Sequence, residues 1–460
     1  MMQPKNGYYL DRKDFDQWQD TVSPLIESYE TLHGIDNKET YKDTKNPDLK
    51  VKNITFVVTE KCNLNCSYCY EQHKTGRRMS KSVAKKAIDF LFNKEKINNY
   101  YNFKTSPAVI IEFIGGEPLL EIELMDYIVE YFKFKAFELD SPWATNYMIS
   151  MTTNGVLYDT PKVQKFLAKN AGKVSLGITI DGNKKLHDSC RKFYDGSGSY
   201  NIVEKSIKDA VKKGYTNSTK ITLSPQNIMY LNEAIQNVWS LGIVGAHTNC
   251  VFEKGWQIKD AKIFYKELKK LADYLLADKN YSKYYCSLFD DTIGKELTED
   301  RNWCGGNGSM LAIAPDGRCF PCIRFMKYSL NKQKEQPIGD INRGLDKKEE
   351  NVWLNKLKDI TMSSQCQYED NKKCLTCKIA SGCALCTGYN YDEFGDPNHK
   401  ATSICDMHKA RVLANVYYWN KLKREIPMID EFKLNLDKKE CLRIINENEY
   451  ISLKKLIKRV

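Results

Sequence analysis

The stretch Ile54-Thr55-Phe56-Val57-Val58 leads into Cys62-Asn63-Leu64-Asn65-Cys66-Ser67-Tyr68-Cys69. The apolar run reads as a strand buried on both faces, the kind found in parallel sheets. The cysteines after it form a CxxxCxxC pattern, so one loop at the end of that strand brings three thiolates together. A structural zinc site or a structural iron–sulfur cluster normally takes four protein ligands. Three thiolates hold three irons of a cubane cluster and leave the fourth open to a small molecule that brings its own donor atoms. That is a catalytic arrangement. The alternative is a zinc knuckle short of one ligand.

The 460 residues are enough for two or three domains, and 42% hydrophobic content is ordinary for a globular chain. No apolar run approaches the roughly 20 residues of a membrane span. The opening Met1-Met2-Gln3-Pro4-Lys5-Asn6 lacks a signal-peptide core, so the expected location is the cytoplasm, with no membrane partner. In that compartment sixteen cysteines point to metal or redox use rather than to disulfides. The net charge of +11 comes without any basic and aromatic motif of nucleic-acid binding, and scattered lysines read as a solvated surface.

Beyond residue 50, strand-like runs at 53–59, 109–114, 147–152, 174–181, 220–224 and 246–252 alternate with helical patterns such as 80–94, 122–135 and 259–276. Repeated strand then helix predicts a parallel sheet with active residues at the carboxyl ends of its strands. After about residue 300 the alternation gives way to cysteines, glycines and turns, which mark a metal-organised domain. The expected division is therefore 1–51, one helix (13–33) and a linker; 52–285, the α/β unit; 286–410, the cysteine-rich unit; and 411–460, a helix (408–424 in outline) and a basic tail.

Three further elements come after the cysteine loop in order. Ile114-Gly115-Gly116-Glu117-Pro118 ends the second strand, Met151-Thr152-Thr153-Asn154-Gly155 ends the third, and Thr179-Ile180-Asp181-Gly182 with Arg191 ends the fourth. With Cys62, Cys66 and Cys69 these resemble the radical S-adenosylmethionine (SAM) enzymes, whose fold is a partial (β/α)6 barrel. The resemblance implies that SAM chelates the open iron and that Tyr68 leans on its adenine. It implies that Gly115, Gly116 and Glu117 receive the amino group, Thr152 and Asn154 the ribose, and Thr179 and Arg191 the carboxylate. Pairing of Arg191 with Asp188 or Asp181 on the surface is an equal alternative.

Nine more cysteines cluster downstream: Cys304, Cys319, Cys322, Cys366, Cys374, Cys377, Cys383, Cys386 and Cys405. Their spacing is similar to the SPASM extension of peptide- and protein-modifying radical SAM enzymes. Cys383-Ala384-Leu385-Cys386 is one residue shorter than that family's last CxxxC, and Cys319 and Cys366 are extra. The resemblance implies two auxiliary [4Fe–4S] clusters beside the SAM-binding one. Cys374, Cys377, Cys383 and Cys405 hold the outer, and Cys304, Cys322 and Cys386 the inner. The inner fourth ligand is left among Cys319, Cys286 and an open iron. Zinc is the alternative metal. Cys190, Cys250 and Cys441 are isolated and read as small buried hydrophobes.

The tracts Thr387–Gly395 and Cys405–Ala410 resemble maturases of cysteine-rich precursors with CXXX repeats. The implied activity is sulfur-to-carbon thioether formation in a ribosomally made, cysteine-rich peptide, with a flavodoxin- or ferredoxin-type electron donor. Peptide maturases of this type often carry a winged-helix domain that grips the leader. The first fifty residues are too short for one, leaving leader recognition to the 13–33 helix, the C-terminal tail or a separate protein. Rival readings are carbon–carbon crosslinking, sulfatase-type maturation, whose aspartate base is replaced here by Ile323, and a non-enzymatic electron carrier, which needs no SAM pocket.

Overall fold

The computed structural model describes residues 51–458 except 98, 99, 102, 104, 105, 254, 298, 301–303 and 348–350. The expected helix at 13–33 lies outside the described residues.

Six parallel strands alternate with helices in the first part: β1 (Lys52–Thr59), α1 (Lys81–Leu91), β2 (Val109–Gly115), α2 (Ile122–Glu138), β3 (Tyr147–Thr153), α3 (Pro161–Lys169) and β4 (Val174–Ile178). Then come α4 (Lys184–Cys190), α5 (Tyr200–Lys212), β5 (Ser218–Leu223), α6 (Leu231–Ser240), β6 (Gly245–Cys250) and α7 (Ile258–Leu276). The alternation read from the sequence is present, with one shortening. β4 stops at Ile178 rather than Asp181 because no ladder joins it to β5, which pairs instead with β6 and, through it, the short β7 (Tyr285–Cys286). Across that gap single bonds pass, among them the Thr219 hydroxyl donating to the Ile178 carbonyl. The barrel is thus two sheets meeting at an open seam.

β1 is buried on both faces, with Ile54, Phe56 and Val58 in the main core and Val57 in a second core beneath the cysteine-rich region. Its pairing with β2 slips between Val57 and Thr59. A bulge of this kind bends a strand and re-aims the segment after it, here the cysteine loop.

The cysteine-rich region does not stand apart from the barrel. β8 (Met310–Ile313) pairs in parallel with β1, and β9 (Arg318–Phe320), β10 (Gly339–Asp340) and β11 (Gly344–Leu345) continue the sheet antiparallel. The turn between β8 and β9 needs Gly317, whose φ of +88° only glycine adopts at little cost. One continuous sheet therefore fixes the spacing between the Cys62 loop and Cys322, just past β9. Downstream lie α8 (Thr387–Phe394) and α9 (Cys405–Glu425), which packs along α7. The segment read as a basic tail folds into α10 (Lys438–Ile444) and α11 (Glu447–Lys458), both against α9. Among the described residues, no helix is long and apolar enough to cross a membrane.

Candidate active site

The cysteine loop is clamped from two sides by backbone hydrogen bonds. Gly116 N donates to Thr59 O (2.9 Å) and Glu117 N to Lys61 O (2.8 Å); from the other side Asn65 N donates to Lys192 O (2.7 Å) and Ser67 N to Cys190 O (3.0 Å). A Cβ on Gly115 would lie 2.2 Å from Thr59 O, and one on Gly116 would lie 2.2 Å from Lys61 O. These glycines are required by the approach of the cysteine loop itself. Cys190, given no chemistry in the sequence, contributes its carbonyl to the clamp.

Glu117 is buried, and its carboxylate accepts from Thr153 Oγ1 (2.6 Å), Asn154 N (2.8 Å) and Leu119 N (3.0 Å). The carboxylate expected to receive the SAM amino group thus holds three protein donors and ties the end of β2 to the end of β3. Asn154 in turn donates from Nδ2 to Asn63 Oδ1 (2.7 Å) and accepts from Val156 N (3.0 Å), so its amide braces the cysteine loop. Thr152 and Thr179 line a cavity of about 390 Å³ with Gly177, Lys220, His247 and Asn249.

Arg191 is buried, and its Nε donates to Asp181 Oδ2 at 2.8 Å, while its guanidinium lies 5.4 Å from the centre of the Tyr68 ring. The Tyr68 hydroxyl donates to the same Asp181 oxygen. The pairing with Asp181 foreseen as a surface contact is therefore internal, and Asp188 is occupied instead by Lys184 (2.7 Å) and Tyr200 N (2.8 Å). Asp181 Oδ1 is buried and has no hydrogen-bond partner among the described residues. A buried acceptor left bare costs about 1–3 kcal/mol, and an ammonium or ribose hydroxyl of bound SAM would satisfy it. The group fits the site.

Burial pushes the Cys62 thiol up to about 11, with the Leu64 N–H and the Lys74 ammonium opposing, and burial raises Cys66 against the field of Arg191. Cluster binding must therefore displace thiol protons. Lys74 Nζ donates to Cys69 Sγ at 3.4 Å. Sequence reading missed Lys74 and the bond from Tyr68 to Asp181 because neither is encoded in motif spacing.

The downstream cysteines fall into two sets. Cys322 lies in the field of Cys304 and Cys386, and Cys386 in that of Cys304. Cys374 lies in the field of Cys383, Cys366 and Cys405, and Cys377 and Cys405 both in that of Cys383. The buried Lys400 sits among Cys383, Cys374 and Cys377. Cys319, counted with the ligands in the sequence, is placed elsewhere. It is fully buried in the main core, whereas Phe320 and Cys322 belong to the second core, and the charges acting on it are Asp340, Asp316 and Asp346. The physical reason is strand alternation: β9 sends Cys319 and Phe320 to opposite faces of the sheet. Cys286 is also in the main core, in the field of Arg411. Among the described residues, no three His, Cys, Asp or Glu side chains converge as a single metal ion requires.

Residues 56–238 match the model of the Radical SAM superfamily, and the barrel belongs to that superfamily. The chain is 24% identical over 434 residues to the radical SAM cyclopropyl synthase TigE of Paramaledivibacter caminithermalis, covering 87% of this chain and 82% of that protein. It is 25% identical over 360 residues to a cysteine-type anaerobic sulfatase-maturating enzyme of Clostridium perfringens, covering 74% of this chain and 91% of the relative. The solved structure of native anSMEcpe with bound AdoMet and Cp18Cys peptide superposes with a TM-score of 0.61 at 18% identity, over 81% of this chain and 99% of that one. That likeness shows the fold.

Proposed function

We propose that the protein is a radical SAM peptide maturase that joins a cysteine sulfur of a precursor peptide to an unactivated carbon as a thioether. Peptide modification draws support from relatives whose names place them on peptides or proteins, among them the subtilosin biosynthesis protein AlbA of Bacillus subtilis. The observation that carries the thioether reading is the inner set of three sulfurs, Cys304, Cys322 and Cys386, with Cys319 and Cys286 both turned into a different core. A set of three leaves room for a substrate thiolate. The resemblance of 387–410 to CXXX-repeat maturases and Ile323 at the sulfatase-type aspartate position agree with it.

Cys62, Cys66 and Cys69 would hold the SAM-binding cluster, and the two downstream sets would hold two auxiliary [4Fe–4S] clusters, about twelve irons in all. A cluster held there would supply the one-electron chemistry for reductive cleavage of SAM. The chain's own residues orient and enclose. Thr152 and Thr179 line a cavity that would receive SAM, the Tyr68–Asp181–Arg191 network carries the unpaired Asp181 oxygen, and Glu117 ties the ends of β2 and β3 together. The balance is one acceptor C–H and one S–H lost and one C–S bond made. The carbon hydrogen goes to 5′-deoxyadenosine, the thiol proton to solvent, and the electron released on bond formation replaces the one that cleaved SAM. SAM is thus the net oxidant.

The experiment is a stoichiometry. Anaerobic turnover with a low-potential reductant is expected to release one 5′-deoxyadenosine per link formed, and SAM cleavage without peptide change would overturn the reading. Carbon–carbon bond formation is the second reading, favoured by the 87% coverage of this chain by the cyclopropyl synthase alignment.

A further inference from the structure

We propose that Arg324 is a positioning residue that ties the Cys62–Cys69 loop to the inner set and holds up the reduction potential of a cluster bound there, with Glu253 as its counterweight. Arg324 stands two residues past Cys322. Its guanidinium lies 5.0 Å from the centre of the Tyr70 ring, and Tyr70 is the residue next to Cys69. The same guanidinium is ion-paired with Glu253, just beyond the carboxyl end of β6. The Arg324 backbone and Cβ pack against Gly388, in the first turn after Cys386.

The packing leaves this group little freedom. A Cβ on Gly388 would fall 2.4 Å from Arg324 Cβ, so the first turn of α8, immediately after Cys386, approaches Arg324 more closely than any side chain would allow. Tyr389, the next residue, packs its ring on Phe252 at 5.1 Å and donates its backbone N–H to Cys386 Sγ at 3.4 Å. The Glu253 segment, Arg324 and the Cys386 turn are therefore held as one body. The Arg324 side chain is only 17% exposed, so its charge is poorly screened by solvent.

Taking up an electron makes a cluster more negative, and a fixed cation beside one of its thiolates favours that state. A carboxylate on the same cation works the other way. The two partners should therefore shift the potential in opposite directions, which a purely structural role would not produce.

This inference rests on the reading that Cys304, Cys322 and Cys386 bind a cluster, and the test separates the two. Wild type, Arg324→Met, Arg324→Lys and Glu253→Gln are reconstituted anaerobically, assayed for iron and titrated with EPR detection. At unchanged iron, Arg324→Met is expected to lower the inner potential, so that the reduced-to-oxidised ratio at a fixed potential falls about tenfold, equivalent to about 59 mV for one electron. Glu253→Gln is expected to raise it, and Arg324→Lys to stay near wild type because the charge is kept. Wild-type potentials in both Arg324→Met and Glu253→Gln would overturn the proposal. If Arg324→Met loses iron, the direction of the Glu253→Gln shift decides, since that variant keeps the arginine. Wild-type protein with only about four irons would overturn the second-cluster reading itself.

Discussion

Replacing Cys62, Cys66 and Cys69 together with alanine is expected to abolish 5′-deoxyadenosine formation while iron falls from about twelve to about eight per chain. The loss should be confined to one cluster because the loop is held by backbone bonds. Thr59 O, Lys61 O, Cys190 O and Lys192 O are all matched by N–H groups of the clamp, and none of these bonds uses a thiol. Cys322 rides on β9, whose place in the sheet comes from the β1–β8 ladder, so the inner set keeps its scaffold. Iron assay with chromatographic detection of 5′-deoxyadenosine checks both halves. Persistent cleavage of SAM by the triple variant would mean that the site lies elsewhere.

Gly116→Ala is expected to cut SAM cleavage by about 10²-fold, the cost of displacing a reacting constellation by about 1 Å. The added methyl would sit 2.2 Å from Lys61 O, 2.5 Å from Lys61 C and 2.7 Å from Glu60 O, all backbone atoms at the entrance to the cysteine loop. Backbone cannot swing aside as a flexible side chain would. Either the loop moves, or the Gly116 and Glu117 N–H bonds to Thr59 O and Lys61 O break. Alanine at Gly172, where an added Cβ meets nothing within 4 Å, controls for a generic glycine effect, although its φ of +80° carries a backbone cost. Measured initial rates at saturating SAM check the contrast, and equal rates for Gly116→Ala and wild type would contradict it.

How much of the molecule is legible in the sequence depends on the reach of each signal. Period and apolar runs located the barrel strands, because a buried parallel strand is written in consecutive residues. Motif order placed Gly115, Thr152 and Thr179 at successive strand ends, since a strand's carboxyl end is local information. Pairing between distant segments is not. Met310-Leu311-Ala312-Ile313 is too short to announce that it extends the barrel sheet beside β1, so the cysteine-rich region looked more separate than it is. Charges met the same limit. Asp181 is one of two partners that the sequence offers Arg191 as an alternative to the SAM carboxylate, and burial turns that surface pair into the support of Tyr68. Lys74 and Arg324 carry no motif at all and emerge only once the cysteines have positions. For Cys319 a usable signal existed: three residues before Cys322 in an extended run, it belongs to the opposite face.

The roles of Gly116 and Glu117 show how a family motif can have a second cause. Glycine at Gly116 is demanded by Lys61 O, and the Glu117 carboxylate is occupied by Thr153, Asn154 and Leu119. Both residues hold the cysteine loop and the ends of β2 and β3 together, whatever else they contact.

Thioether formation is tested most directly by the product peptide. After conversion and treatment with iodoacetamide, mass spectrometry is expected to show two hydrogens and one alkylatable thiol lost for every link. A product that has lost two hydrogens per link and still alkylates at every cysteine would contradict the thioether account and establish a carbon–carbon bond instead.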